Sequence, residues 1–238
     1  MRAVGFEDFG GPEVLRVLEL ADPVAGEGEV LIRVHGAAVN PTDTMRRSGQ
    51  VAEMIGMPRP FVVGMEFAGV VEALGPGDTG GLRPGDRVMG VLLPRGSHGA
   101  YSELIALPAG QLLRVPDGID LLAAATLPMN GLTALASVEA LDLPAGARIA
   151  VTGAAGMVGG YAIQLAKARG LEVLADAAPV DAELVATFGA DLVLERGRGF
   201  VGAVRAQIPA GVEGLIDGAV LDEAVAPAVA DGGAIVTL

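Results

Sequence analysis

Cysteine and tryptophan are absent from the 238-residue sequence, which has only two tyrosines and two histidines. Without cysteine the chain has no disulfide, no thiolate nucleophile and no cysteine-bearing zinc site. Two histidines alone are a poor set of metal ligands, so we expect no metal site. Aromatic residues make up only 3% of the chain, which offers little surface for stacking nucleobases.

Positive charge is also scarce. Lysine and arginine total 16 against 29 acidic residues, and the formal net charge of -13 repels phosphate backbones and anionic membrane surfaces. No stretch approaches the roughly 20 apolar residues of a membrane-spanning helix, and the N-terminus lacks the apolar core of a signal peptide. We therefore expect neither nucleic acid nor membrane as a partner, and by default a soluble protein of the cytoplasm.

Glycine is abundant, with 36 residues, and 51% of the chain is hydrophobic, as in a compact α/β enzyme. The length allows two domains, which we place at 1–118 and 119–238. Turn residues divide the first part into short strands, which predict an antiparallel, barrel-like domain. The predicted elements of this part include the strands Val14–Leu20 and Tyr101–Ala106, a short helix from Pro41, and a helix capped by Asp120 that runs to Leu127.

Strand and helix patterns alternate in the second part, as in a parallel sheet covered by helices on both faces. The predicted strands are 148–152, 172–175, 191–194, 214–217 and 234–238. The predicted helices between them are 157–169, 180–188, 199–207 and 222–230.

The strongest local signal is a buried strand, Ile149–Thr152, that runs into a glycine turn and then a helix. The turn consists of Gly153, Ala154, Ala155, Gly156, Met157, Val158 and Gly159. Gly153 and Gly156 let the backbone approach a pyrophosphate, and Gly159 allows close helix packing. The helix N-terminus offers free N–H groups to phosphate. We therefore predict a dinucleotide site; a purely connecting turn is the alternative.

The chain resembles the zinc-independent branch of the medium-chain dehydrogenase/reductase superfamily, which contains quinone oxidoreductases and enoyl reductases. The resemblance covers nearly the whole chain. Besides the glycine turn it rests on four stretches, 38–43, 64–71, 83–88 and 127–134. It implies an N-terminal GroES-like β-barrel catalytic domain, a doubly wound parallel Rossmann sheet, and an active site in the cleft between the two domains.

The resemblance also implies roles for individual residues. Asn40 matches an asparagine beside the nicotinamide ribose and the substrate, although its amide could instead cap the helix from Pro41. Asp43 is a weaker catalytic candidate, because a first-turn aspartate also stabilises a helix. Thr133 falls in a motif that implies cofactor contact. Glu66 could face the cleft or pair with an arginine of the Pro41 helix, and Tyr101 is interpreted as a packing residue.

Zinc enzymes of the superfamily carry a cysteine near the position of Asn40 and a histidine where this chain has Met65. Since both ligands are missing, the acceptor should need no Lewis acid, which favours a quinone or a conjugated enone. An enoyl thioester is the second choice, because the tyrosine that donates a proton in several relatives is absent from 44–49. A nucleotide-binding protein without turnover is the alternative from another class.

The cofactor is expected to be NADPH, with NADH possible. Asp176 lies near the place of an acid that binds the ribose 2'-hydroxyl, but one position early. Arg196 is the candidate for a 2'-phosphate contact. The fifth Rossmann strand ends the chain where a sixth is expected, so we read the chain as C-terminally truncated. An exposed strand edge of this kind predicts a homo-oligomer, with a dimer as the simplest form.

Overall fold

The structure, a computed structural model, describes residues 1–51 and 59–238. The chain divides into two compact units, Met1–Met129 and Asn130–Leu238. The domain boundary at 118/119 stays a prediction. Within the described ranges, no helix is long and apolar enough to cross a membrane.

The first unit consists mainly of antiparallel sheet. Its strands are β1 (Arg2–Phe6), β2 (Arg16–Glu19), β3 (Glu29–Ala37), β4 (Phe61–Val62), β5 (Glu66–Leu74), β6 (Arg87–Val91), β7 (Leu104–Pro108) and β8 (Leu112–Arg114). They form a sheet of order β2-β1-β4 and another of order β7-β3-β5-β6-β8. The core of the larger sheet includes Val30 and Ile32, alternate residues of β3 that are fully buried. This alternation is the pattern of a sheet with one covered face.

The α-helices described in this unit are α1 (Pro41–Ser48) and α2 (Leu121–Ala124), and α3 (Pro128–Leu141) begins at its end and continues into the second unit. Proline at the first position of α1 is preorganised for a helix, and Gly49 ends it in the left-handed region at φ 85°. Asp120 caps α2 as predicted, accepting from the backbone of Leu122 and Ala123. The helix stops at Ala124, three residues short of the predicted end.

The second unit contains a five-stranded parallel sheet, as predicted. Its elements are β9 (Arg148–Thr152), α4 (Met157–Ala168), β10 (Glu172–Ala177), α5 (Ala182–Thr187), β11 (Leu192–Glu195), α6 (Phe200–Gln207), β12 (Val212–Asp217) and β13 (Val229–Thr237). The strand order is β11-β10-β9-β12-β13. Ile149 and Val151 belong to one apolar cluster and Ala150 to another, so both faces of the central strand are covered.

Other sequence-based elements were also wrong in extent or type. The helix predicted at 222–230 is replaced by 3-10 turns at Asp222–Ala224 and Ala226–Ala228, and β13 already begins at Val229. Pro227 explains part of this, since it has no N–H to donate and obstructs an α-helix. The strand predicted at Tyr101–Ala106 begins only at Leu104, because Tyr101 pairs with Val63 and Val4 instead.

Candidate functional site

Asn40 lies three residues after β3 and immediately before α1, in extended conformation. The side chain of Asp43 returns to it, since Oδ2 of Asp43 accepts from the backbone N–H of Asn40 at 2.9 Å. Both residues are buried, with 7% and 3% of their surface exposed. The contact satisfies one donor at the helix start and fixes where α1 begins.

Asp43 has two further donors. Its Oδ1 accepts from the backbone N–H of Gly64 at 2.9 Å, and its Oδ2 accepts from the hydroxyl of Tyr101 at 3.2 Å. Gly64 has φ 96°, and a Cβ there would lie 2.5 Å from the ring of Tyr101. Burial and the Asp43 carboxylate raise the pKa of Tyr101. Asp43 therefore connects the start of α1 to Gly64 and Tyr101, and a catalytic role for Asp43 stays a prediction.

The carboxamide of Asn40 contacts Glu66. Its Nδ2 donates to Oε1 of Glu66 at 2.9 Å, and Oε2 of Glu66 accepts from the backbone N–H of Met129 at 2.8 Å. Glu66 is fully buried, and that burial raises its pKa. The arginines of α1 donate elsewhere, Arg46 to the carbonyl of Pro94 and Arg47 to that of Gly10. Glu66 therefore holds the Asn40 amide and the first turn of α3.

The residues at the family's zinc position do not fit zinc. Met65 is a thioether, and its Sδ accepts from the hydroxyl of Thr42 at 3.1 Å. Asn40 supplies an amide already bonded to Glu66. In the described part of the chain, no three histidines, cysteines or acids cluster as metal ligands. A borderline ion that prefers thiolate and imidazole gains little from this donor set.

The glycine turn connects β9 to α4 as the sequence predicts. Gly153 has φ 63°, and a Cβ there would lie 2.8 Å from the backbone of Gly218. A Cβ on Gly159 would lie 2.4 Å from the carbonyl oxygen of Gly153. Both glycines are therefore required by close backbone packing, of the turn on a neighbouring loop and of the helix on the turn.

The start of α4 suits an anion. Gly156 is its N-cap and has no side chain to satisfy the first N–H groups, so these remain available to a phosphate. Gly156 and Met157 are exposed, while Ala155 and Val158 are half-buried and Ala154 is buried. The residues present therefore fit a dinucleotide pyrophosphate.

Asp176, near the end of β10, binds the glycine turn. It is 3% exposed, and its Oδ1 accepts from the backbone N–H of Ala154 at 3.1 Å. Its Oδ2 lies 3.9 Å from Nε of the exposed Arg196. The carboxylate is thus engaged inside the fold, and a role for Asp176 in cofactor binding stays a prediction.

Thr152 and Asp217 end the adjacent strands β9 and β12 and lie opposite each other in register. The hydroxyl of Thr152 donates to Oδ1 of Asp217 at 2.6 Å. The strand order reverses between these two strands, which is the point where open α/β sheets bind ligands.

The sequence-based interpretation missed Thr152 and Asp217 as organising residues. It considered Glu66 only as a cleft-facing acid or an arginine partner, and it took Tyr101 for packing. A signal existed for Thr152 and Asp217, because each is a polar residue that ends a buried parallel strand. Thr133 lies half-buried on α3, where its carbonyl accepts from Ser137, and a cofactor role for it stays a prediction.

Comparisons with known proteins agree with this fold. The family model of the alcohol dehydrogenase GroES-like domain matches residues 26–117. A quinone oxidoreductase of Homo sapiens is 35% identical over 179 residues, 74% of this chain and 53% of that protein. A trans-enoyl reductase of Aspergillus terreus is 35% identical over 205 residues, 78% of this chain and 65% of that protein.

Solved structures extend the likeness to the whole chain. An NAD-dependent alcohol dehydrogenase matches with a TM-score of 0.91 and 32% identity, over 100% of this chain and 77% of that one. The chain spans about half the length of the quinone oxidoreductases it matches. It belongs to the medium-chain dehydrogenase/reductase superfamily, in the branch of quinone oxidoreductases and enoyl reductases.

Proposed function

We propose that this protein is an NAD(P)H-dependent oxidoreductase. The observation that carries the proposal is the glycine turn from β9 to the uncapped start of α4, beside the point where the strand order reverses. This arrangement suits a dinucleotide pyrophosphate. A bound reduced nicotinamide would supply the hydride. The chain's own residues would hold the cofactor and orient the acceptor.

The acceptor we propose is a quinone or a conjugated enone. Met65 and Asn40 give zinc no suitable ligands, and such acceptors take up hydride without Lewis-acid help. The names of the similar proteins, quinone oxidoreductase and trans-enoyl reductase, support this class. Quinone reduction ranks above enoyl-thioester reduction because quinone oxygens can be protonated by water. Asn40 is the residue we propose for orienting the reactants.

We propose NADPH as the preferred cofactor, with NADH as the alternative. Asp176 is committed to Ala154 N–H, so it is poorly placed to accept from a ribose 2'-hydroxyl. Arg196 is exposed, and its guanidinium lies near the same carboxylate, where a 2'-phosphate could form a charge-assisted contact.

We also propose a homo-oligomer, which sedimentation at several protein concentrations would test.

The decisive experiment is rapid mixing of the protein with NADPH or NADH and a quinone, an enone or an enoyl thioester. Oxidation of the cofactor by a quinone or enone supports the proposal, while enoyl-thioester turnover alone supports the second candidate. Binding without oxidation by any acceptor supports a non-catalytic nucleotide-binding protein. Metal analysis of the active sample should find no stoichiometric zinc.

Gly156→Asp is the matching variant, because its carboxylate would occupy the pyrophosphate position. Gly110→Asp is the control, since it adds the same charge in the other unit at a position with no atom within 4 Å of the new Cβ. We expect only the first to abolish cofactor binding. Tight NADPH binding by Gly156→Asp would refute the site.

A further inference from the structure

The loop after β12 is held by a single buried carboxylate. Asp217 is fully buried. Its Oδ2 accepts from the backbone N–H groups of Leu221 at 2.6 Å and Asp222 at 2.8 Å. Its Oδ1 accepts from Thr152, whose Oγ1 in turn accepts from the backbone N–H of Ala219 at 3.2 Å. The loop therefore folds back onto the ends of β9 and β12.

The backbone of this loop is strained. Val220 has φ 52° and Asp222 has φ 51°, and a β-branched residue such as Val220 adopts this left-handed region only when its surroundings impose it. The hydrogen bonds from Leu221 and Asp222 to Asp217 fix the backbone directly after Val220. Without the carboxylate, these residues would relax towards ordinary conformations.

The same loop supports the glycine turn. A Cβ on Gly153 would lie 2.8 Å from the carbonyl carbon of Gly218 and 3.0 Å from the backbone nitrogen of Ala219. The loop after β12 therefore lies directly beside the glycine turn that is proposed to bind the pyrophosphate. The strands β10 and β12 lie on opposite sides of β9. With the pyrophosphate at the start of α4, the adenosine half of the cofactor would lie towards β10, where Asp176 is found. The loop after β12 then lies on the side of the nicotinamide half.

We propose that Asp217 is a positioning residue that holds 218–222 in its strained form as the wall for the nicotinamide half of the cofactor. This inference rests on the proposed function. It assigns Asp217 to binding of that half of the dinucleotide. The adenosine half, on the other side of the pyrophosphate, should not depend on it.

The experiment compares two ligands by calorimetric titration: NADPH, which has both nucleotides, and adenosine 2',5'-bisphosphate, which lacks the nicotinamide half. For Asp217→Asn we expect NADPH to bind about tenfold more weakly, because an amide cannot accept from all its donors. Adenosine 2',5'-bisphosphate should bind within about twofold of wild type. Equal weakening of both ligands, or of neither, would overturn the inference.

A second pair of variants tests the strain itself. Glycine adopts the left-handed region without cost, so in a Val220→Gly background the Asp217→Asn change should weaken NADPH binding by only about threefold or less. A full tenfold loss in that background would show that Asp217 acts in another way. If Asp217→Asn does not fold, Thr152→Val decides between the same outcomes, with selective weakening of NADPH expected.

Failure of the inference is distinguishable from failure of the proposed function. Wild-type protein that binds neither NADPH nor NADH refutes the function before any variant is made. Wild-type protein that binds NADPH, with a variant that loses both ligands equally, refutes only the role of Asp217.

Discussion

The contact between Asn40 and Glu66 can be tested by reversing its polarity. In the wild type the amide Nδ2 donates to a carboxylate at 2.9 Å, inside the fold. Asn40→Asp places two carboxylates together, and Glu66→Gln places two amides together. The double variant restores an amide opposite a carboxylate with donor and acceptor exchanged.

The expected magnitudes follow from the contacts that each variant removes. In Glu66→Gln, one acceptor oxygen is replaced by an amide donor, so the contact to Asn40 Nδ2 or to Met129 N–H is lost, and the loss of such a buried contact costs about 1–3 kcal/mol. In Asn40→Asp, the paired acids must bind a proton, which near neutral pH costs about 3–4 kcal/mol. In the double variant the new amide at position 66 donates to the new carboxylate at position 40 and still accepts from Met129. The stability of the double variant should therefore return to within about 1 kcal/mol of wild type.

The assay is urea unfolding followed by tyrosine fluorescence in a Tyr161→Phe background. The sequence has no tryptophan and two tyrosines, so Tyr101 then reports on the first unit alone. Gln50→Glu is the control, an amide-to-acid change at an exposed position just beyond α1, and it should change stability by less than about 0.5 kcal/mol. A double variant as unstable as the sum of the single variants would refute the contact.

Three further predictions follow from the geometry. Gly159→Ala should greatly weaken NADPH binding in a fluorescence titration, because its Cβ would lie 2.4 Å from the carbonyl oxygen of Gly153; unchanged affinity would contradict the packing. Arg196→Ala should weaken NADPH binding about tenfold and leave NADH binding unchanged, and equal losses would remove Arg196 from the site. Burial raises the pKa of Glu66 above its ordinary 4.5, so Glu66 binds a proton more readily in the fold than in the unfolded chain. Wild type should therefore lose stability relative to Glu66→Gln as the pH rises above 4.5 through the raised pKa, and a stability difference independent of pH would argue against this.

The elements that sequence predicted well are those with local causes. The glycine turn needs only a buried strand, glycines at the close approaches and a helix start, all within Ile149–Gly159. The start of α1 follows from Asn40, Pro41 and Asp43 within four residues. The parallel sheet follows from the alternation of strand and helix patterns.

The elements that sequence missed depend on contacts between distant residues. The segment 222–230 has a composition typical of a helix, but it forms 3-10 turns instead. Asp217 accepts from the backbone N–H groups of Leu221 and Asp222 at its start. Likewise, Glu66 meets Asn40 across 26 residues of sequence, and Tyr101 meets Asp43 across 58. No local pattern encodes either pairing.

The buried acids all accept hydrogen bonds from the backbone. Among the described residues, the buried acids are Asp43, Glu66, Asp176 and Asp217. Each accepts from backbone N–H groups of a loop or helix start. A buried carboxylate is stable only when donors of this kind satisfy it, so each acid fixes one segment of backbone.

This use of carboxylates bears on the chemistry. Residues that suggest acid–base catalysis in the sequence are here acceptors for the main chain, and Asp43 has three donors on its two oxygens. A carboxylate so engaged cannot transfer a proton without releasing the backbone that it holds. An acceptor whose product takes its protons from water therefore suits these residues best, which is the physical reason to place a quinone before an enoyl thioester. The double variant of Asn40→Asp and Glu66→Gln tests the proposed role of Asn40. It should recover stability, but its rate of cofactor oxidation should stay low, because a carboxylate then stands where the proposed reaction needs an amide.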